Sequence, residues 1–272
     1  MKTSMVRGGG GTQLNVVEFG KPKGMHILFI HGISQCWLTW LRQLDSPLAN
    51  DYRLVAMDLR GHGNSEKPRD GYGDSRLWAD DVRAVIAALQ LDHPLLCSWS
   101  YGSLVTLDYL RHYGEDEIRG ANFVGGVTKL GGEEAGAVFD PGFLALAPGF
   151  FASDVEASLS ALDGLLSRCY GPELSAEDHY RMLGYNACVP PHVRLGMLSR
   201  TINNDDLLPK LRKPFLITHG MKDGVVKPTV ISQQMAKISH ARVQTMANAG
   251  HACFWDEAGP FNQNLREFLE SM

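Results

Sequence analysis

The chain predicts a mostly parallel, doubly wound α/β sheet of eight strands carrying a helical insertion, and three observations lead there. Short apolar runs alternate with amphipathic stretches along most of the 272 residues, the pattern of strands joined by crossover helices. One such run, 94–97, ends in Ser98-Trp99-Ser100-Tyr101-Gly102 and passes into the amphipathic stretch 104–113, which reads as strand, sharp turn and helix. Residues 127–213 show no strand pattern, although a crossover needs only about a dozen residues or somewhat more.

Taken in order, a short strand at 3–7 and a longer one at 13–19 form an antiparallel hairpin. The four glycines Gly8, Gly9, Gly10 and Gly11 make its turn; no Lys-Ser/Thr follows them, so they do not read as a phosphate cradle. Residues 25–30 are the next strand, and His31-Gly32-Ile33 lets the chain turn back, with Gly32 supplying the conformational freedom. A strand at 52–57 leads into the glycine-rich Asp58-Leu59-Arg60-Gly61-His62-Gly63-Asn64-Ser65. Val82, Val85, Ile86 and Leu89 then fall at i, i+3, i+4 and i+7, one apolar stripe of a helix facing the sheet. Strands follow at 94–97, 121–125, 214–218 and 241–246, and Phe261, Leu265, Phe268 and Leu269 mark a closing helix. The expected organisation is a core of 1–128 and 207–272 with a helical cap at 129–206, its helices at 152–169, 175–185 and 191–202.

The turn after strand 94–97 is where chemistry is expected. A strained strand-to-helix turn exposes a serine at the C-terminal edge of a sheet, and small residues are needed two before and two after it because the backbones approach closely. Gly102 meets that need, and Ser98 stands where glycine is usual. A serine hydroxyl is a weak nucleophile and requires a base, an acid to orient the base, and donors for the oxyanion. His251, in Asn248-Ala249-Gly250-His251 after the last strand, is the candidate base, and Asp223, just past strand 214–218, the candidate acid. Glu133 or Glu134 is the rival position for the acid. The backbone N–H groups of Tyr101, at the start of its helix, and of Ile33 are the candidate oxyanion donors.

These motifs, in the order Ser100, Asp223, His251, resemble the α/β-hydrolase superfamily, specifically its capped serine esterase and C–C hydrolase-like branch, over almost the whole chain. The resemblance implies a Ser100-His251-Asp223 triad, an oxyanion hole of Ile33 and Tyr101, no cofactor or metal, and a structural role for Asp58 to Ser65. It implies a small carboxylic ester or lactone as substrate, cleaved through an acyl-enzyme. C–C bond hydrolysis and cofactor-free perhydrolysis are the close alternatives, though Ile33-Ser34 stands where perhydrolases usually carry proline after the His-Gly pair. A ligand receptor with little turnover is the alternative of another class; an intact triad argues for the enzyme. Trp99, Phe143 and Phe150 are candidates for the substrate pocket, and Phe139, Leu146 and Phe151 for its mouth; Trp37, Trp40 and Trp255 read as packing.

Composition sets outer bounds. A hydrophobic fraction of 44% allows a substantial core, and a net charge of −4 offers nothing to nucleic acid. Five cysteines without a C-x-x-C pair point to a reducing compartment. No secretory signal is apparent at the N-terminus, and the apolar run 143–151 is far below the ~20 residues that cross a bilayer. A cytoplasmic location follows as the expectation. His31, Asp58 and His62 lack metal-ligand spacing.

Overall fold

A computed structural model describes residues 1–171 and 174–272. Its strands are β1 (Lys2–Arg7), β2 (Gln13–Gly20), β3 (Met25–Ile30), β4 (Tyr52–Met57), β5 (Leu95–Trp99), β6 (Gly120–Val124), β7 (Lys129–Leu130), β8 (Ile202–Asn203), β9 (Phe215–Gly220) and β10 (Arg242–Met246). Eight of them form one sheet in the order β1-β2-β4-β3-β5-β6-β9-β10. β1 pairs antiparallel with β2, β2 antiparallel with β4, and every other pairing is parallel. The expected fold class is therefore the observed one. The parallel strands are covered on both faces, which is why Ile27, Leu28, Phe29 and Ile30 can all be buried without alternation.

The longer helices are α1 (Ser75–Ala88), α2 (Gly102–Tyr113), α3 (Val155–Cys169), α4 (Ala176–Ala187), α5 (Pro191–Leu198) and α6 (Ala258–Glu270). α1 starts where the Asp74 carboxylate accepts the Arg76 N–H, and it buries Trp78, Val82, Val85 and Ile86 against the core. The glycine run between β1 and β2 is a turn pressed onto α1. A Cβ on Gly9 would lie 2.6 Å from the Leu77 carbonyl oxygen, and the buried Arg60–Asp81 pair grips this turn through the Gly9 N–H and C=O.

α3, α4 and α5 lie between β6 and β9 in sequence, together with short helical turns at Gly132–Gly136, Pro141–Leu144 and Ala147–Phe150. The interval is not free of strand. Lys129 and Leu130 pair with Asn203 and Ile202 in a two-stranded ribbon that closes the neck of the insertion. Two residues carry no period, so only the approach of the distant segments creates this pairing.

Register brings the carboxyl ends of the parallel strands to one edge. Ile30 lies beside Ser98 and Met57, Trp99 beside Val124, and Gly220 beside Met246. In open α/β sheets, ligands bind outside this edge, where strand order reverses about the central strands.

Candidate active site

Ser100 follows β5 at φ 54°, in the left-handed region that a β-carbon disfavours. Its N–H donates to Val124 O at 3.0 Å, and its carbonyl accepts the Ser103 N–H at 3.0 Å, so strand β6 and helix α2 hold the strained turn from both sides. Gly102 is required by close approach: a Cβ there would sit 2.6 Å from Ile30 O and 2.8 Å from His31 O. Ser98 fits because it is buried within β5 and its Oγ reaches only Asn122 O, at 3.5 Å.

His251 sits past β10, and its Nδ1–H donates to Asp223 Oδ2 at 2.7 Å. The other Asp223 oxygen accepts the N–H groups of Val225 and Val226, both at 2.8 Å, so the carboxylate cannot swing. Trp99 Nε1–H donates to the His251 carbonyl at 3.0 Å, and the two rings pack tilted at 45° with centroids 5.3 Å apart. Gly125, at φ 50°, leaves the room this pair needs, since a Cβ would lie 2.8 Å from His251 Nδ1. A second buried imidazole, His219, shares the carboxylate: its Nε2 lies 3.0 Å from Val226 O and 3.3 Å from Asp223 Oδ2. Burial holds His219 below its ordinary pKa while Asp223 pulls the other way.

Glu133 and Glu134 are on the exterior, Glu134 paired with Lys129 and its side chain 77% exposed. The acid beside His251 is Asp223.

Gly32 packs against the serine turn, a Cβ there falling 3.1 Å from Ser100 Cβ. The chain then turns over Gly32 to Gln35, with Gln35 N–H donating to Gly32 O at 3.3 Å and Ser34 at φ 62°. Two buried histidines brace it. Leu59 N–H donates to His31 Nε2 at 3.0 Å, and His31 Nδ1 faces Gly32 O at 2.7 Å; Ser34 N–H donates to His62 Nε2 at 3.1 Å, and His62 Nδ1 faces Arg60 O at 2.9 Å. Each ring is a donor at Nδ1 and an acceptor at Nε2, which leaves neither a lone pair for a metal ion. Burial lowers both, His31 well below the usual histidine range and His62 to about 4. Asp58 completes the segment by accepting from Asn15, Trp37 and Asn64.

Ser100, His251, Ile33 and Tyr101 open onto one cavity of about 340 Å³. Its walls come from Trp99, Leu104 and Val225 of the sheet side and from Phe139, Phe143, Phe150, Phe151, Leu165 and Leu198 of the insertion. Among the described residues that line it, none is Asp, Glu, Lys or Arg.

The family model for the alpha/beta hydrolase fold matches residues 25–258. The chain belongs to that family. Among solved structures, it is similar to an esterase, RhEst1, from Rhodococcus sp. ECU1013 (32% identity, TM-score 0.94, 100% of this chain and 99% of that one). It is also similar to a putative aryl esterase from Burkholderia cenocepacia (31% identity, TM-score 0.90, 99% and 98%). A putative non-heme chloroperoxidase from Synechocystis is 27% identical over 263 residues, 91% of this chain and 92% of that protein. No helix among the described residues of this hydrolase-family chain is long and apolar enough to cross a membrane.

Of the pocket residues expected from sequence, Trp99, Phe143 and Phe150 all line the cavity, as do Phe139 and Phe151. Leu146 instead packs along α3, where a Cβ on Gly164 would meet its Cδ2 at 2.9 Å. Trp40 packs tilted between Phe29 and Phe254, and Trp255 lies under the Arg42 guanidinium. Sequence reasoning missed Gln35, Leu165, Leu198 and Cys169 on the wall and His219 behind Asp223. For Gln35 and His219 a signal existed: Gln35 is a polar residue two positions past the candidate donor Ile33, and His219 is a polar residue at the end of β9, four before the candidate acid Asp223.

Proposed function

We propose that the protein is a serine hydrolase of small, uncharged, apolar carboxylic esters, alkyl or aryl, working through an acyl-enzyme. The observation that carries this reading is the strained Ser100 opening onto the same apolar cavity as His251, whose outer nitrogen is tied to a fixed carboxylate. With Nδ1–H held by Asp223, the inner nitrogen of His251 is left as the acceptor for the Ser100 proton. Ser100 Oγ then attacks the ester carbonyl carbon, and the Ile33 and Tyr101 N–H groups stabilise the developing oxyanion. The alcohol leaves with the proton from His251, and water, deprotonated by the same imidazole, releases the acid. The insertion acts as a cap over Ser100, and its phenylalanines favour aliphatic or aromatic groups. A substrate bearing a carboxylate would find no cationic partner on the described lining and would lose its hydration on entry. The similarity to the Rhodococcus esterase and the Burkholderia aryl esterase supports an ester over a lactone.

The test is steady turnover of aryl esters together with labelling by a fluorophosphonate. Ser100→Ala is expected to lower kcat by at least 10³-fold, and on the order of 10⁶-fold if the pair acts as a unit, with the fold intact. Mass spectrometry should place the phosphonate on Ser100. A label elsewhere, or turnover that survives the substitution, overturns the reading; binding of esters without turnover would point to a receptor.

A further inference from the structure

We propose that Gln35 is a positioning residue: Tyr170, Tyr185 and Asn186 of the insertion grip its side chain and thereby hold the turn that presents the Ile33 N–H to the reacting carbonyl. The proposal rests on the reading of Ser100 as nucleophile and Ile33 as oxyanion donor.

The turn over Gly32 to Gln35 closes on one long hydrogen bond of its own, Gln35 N–H to Gly32 O at 3.3 Å. Ser34, at φ 62°, occupies the third position, where a type II turn takes positive φ and glycine is preferred. A residue held in that region by its neighbours relaxes when they are removed. On one side, Ser34 N–H is caught by His62 Nε2 at 3.1 Å. On the other side, the next residue, Gln35, reaches across to the insertion. Gln35 Oε1 accepts the Tyr185 hydroxyl at 3.0 Å and the Tyr170 hydroxyl at 3.3 Å, and its Nε2 donates to Asn186 Oδ1 at 3.3 Å.

The bonds run in one direction. Tyr170 gives its proton to Gln35, so the Thr39 hydroxyl, 3.0 Å away, donates to Tyr170; Asn186 receives from Gln35 and passes its own Nδ2–H to Met182 O at 2.8 Å. Such a chain fixes the amide of Gln35 in a single orientation. Gln35, Thr39, Tyr170, Tyr185 and Asn186 are all buried, so any partner left unpaired bears the full cost of its lost hydration. A purely apolar contact would fasten the insertion as well and would carry no such penalty. Directional bonds here add what apolar contact cannot, a fixed angle two residues from the oxyanion donor. Gln35 also shares the cavity wall with Ile33 and Ser100, so a shift of the amide is a shift at the reacting carbonyl.

The other oxyanion donor needs no such device. Tyr101 N–H is set by the strained serine beside it and the helix it begins, although its hydroxyl also reaches the insertion at Met197 O, 3.2 Å away.

The experiment compares wild type with Tyr170→Phe, Tyr185→Phe, their double variant and Gln35→Met. Four quantities are read on one aryl ester and its analogues: kcat, KM, the affinity of a trifluoromethyl ketone that adds to the serine, and the affinity of an unreactive ether of the same shape. A misplaced donor acts on the tetrahedral state alone. The double variant and Gln35→Met are expected to lose about 10- to 100-fold in kcat, with KM and ether affinity changed by less than about threefold. Trifluoromethyl ketone affinity should fall in step with kcat, and combining Gln35→Met with the tyrosine changes should add little further. Unchanged kcat, or ether binding that weakens as much as ketone binding, overturns the proposal and leaves the network a fastener. If Gln35→Met does not fold, the phenylalanine variants keep both rings and decide the question by the same readouts. Should Ser100→Ala retain turnover, the underlying reading and this proposal fall together; should Ser100 be labelled normally while the variants match wild type, this proposal alone falls.

Discussion

In strand β3, Ile27, Leu28, Phe29 and Ile30 are wholly buried side by side, whereas in the insertion a guanidinium, Arg194, is buried with no carboxylate of the described residues paired to it. Its donors are spread over Phe150 O, Asn186 O, Val189 O and the Ser158 hydroxyl, and burial lowers its pKa to about 10. Arg200, at the exit of the insertion, is likewise committed, to both oxygens of Asp108 at 2.8 Å. Both regions bury apolar side chains, Leu162, Leu166, Val189 and Val193 in the insertion as fully as those of β3; the sheet adds a hydrogen-bonded ladder, and the insertion a few directional side-chain bonds threaded through its core. The difference teaches where each task can be placed. The candidate catalytic residues sit past strand ends, where the ladder fixes the backbone, while much of the cavity wall comes from the insertion.

If that division is correct, the largest loss should come from the sheet edge. Asp223→Asn keeps the shape of the carboxylate but favours the wrong His251 tautomer, and kcat is expected to fall by about 10⁴-fold with the thermal midpoint little changed. Near-normal turnover in this variant would move the acid elsewhere and break the comparison at its strongest point.

The buried His62 gives the core a pH dependence whose sign can be worked out. Its folded pKa is about 4, below the ordinary 6.5, so the unfolded chain takes up the proton first. The stability it contributes is complete above about pH 6.5, declines as pH falls, and is gone near pH 4, a loss of order 3 kcal/mol. Chemical denaturation of wild type and His62→Gln at several pH values in that window should differ in slope, with the variant lacking this component. Parallel slopes would show that His62 does not stay neutral in the fold.

Substitution in the insertion should alter selection more than chemistry. Phe143→Ala should shift relative kcat/KM between short and longer acyl esters by roughly 10- to 200-fold at most, with labelling by a small fluorophosphonate near normal. An unchanged chain-length profile would make Phe143 a packing residue. The smallest expected effect is in the fastening: Arg194→Met strands carbonyl groups and should weaken the insertion by about 1–3 kcal/mol. Hydrogen exchange should rise in α3 to α5 and not in β3 or β5; an even rise across the chain would mean that the two regions unfold as one.

Much of the fold and of the candidate site was legible because each part is written in consecutive residues. Ser98 to Gly102 must be small, serine and small again for a strand to turn into a helix at that angle, and His31-Gly32 must leave space beside it. The strands read as strands because two-sided burial demands unbroken apolar runs, and α1 because one-sided burial leaves a stripe. The short turns at Pro141–Leu144 and Ala147–Phe150 were not legible, since four residues hold barely one helical period.

By itself the sequence determined the sheet, the strained turn at Ser100 and the strand ends that carry Asp223 and His251, because local backbone sterics and periodic burial act over neighbouring residues. Only the tertiary structure decided that Asp223 and not Glu133 or Glu134 meets His251, that Phe143 faces the cavity while Leu146 turns to α3, and that Gln35 is bonded to tyrosines more than 130 positions away. Those outcomes depend on how the insertion closes over the sheet edge, and contacts between distant segments leave no period or spacing in the chain to be read.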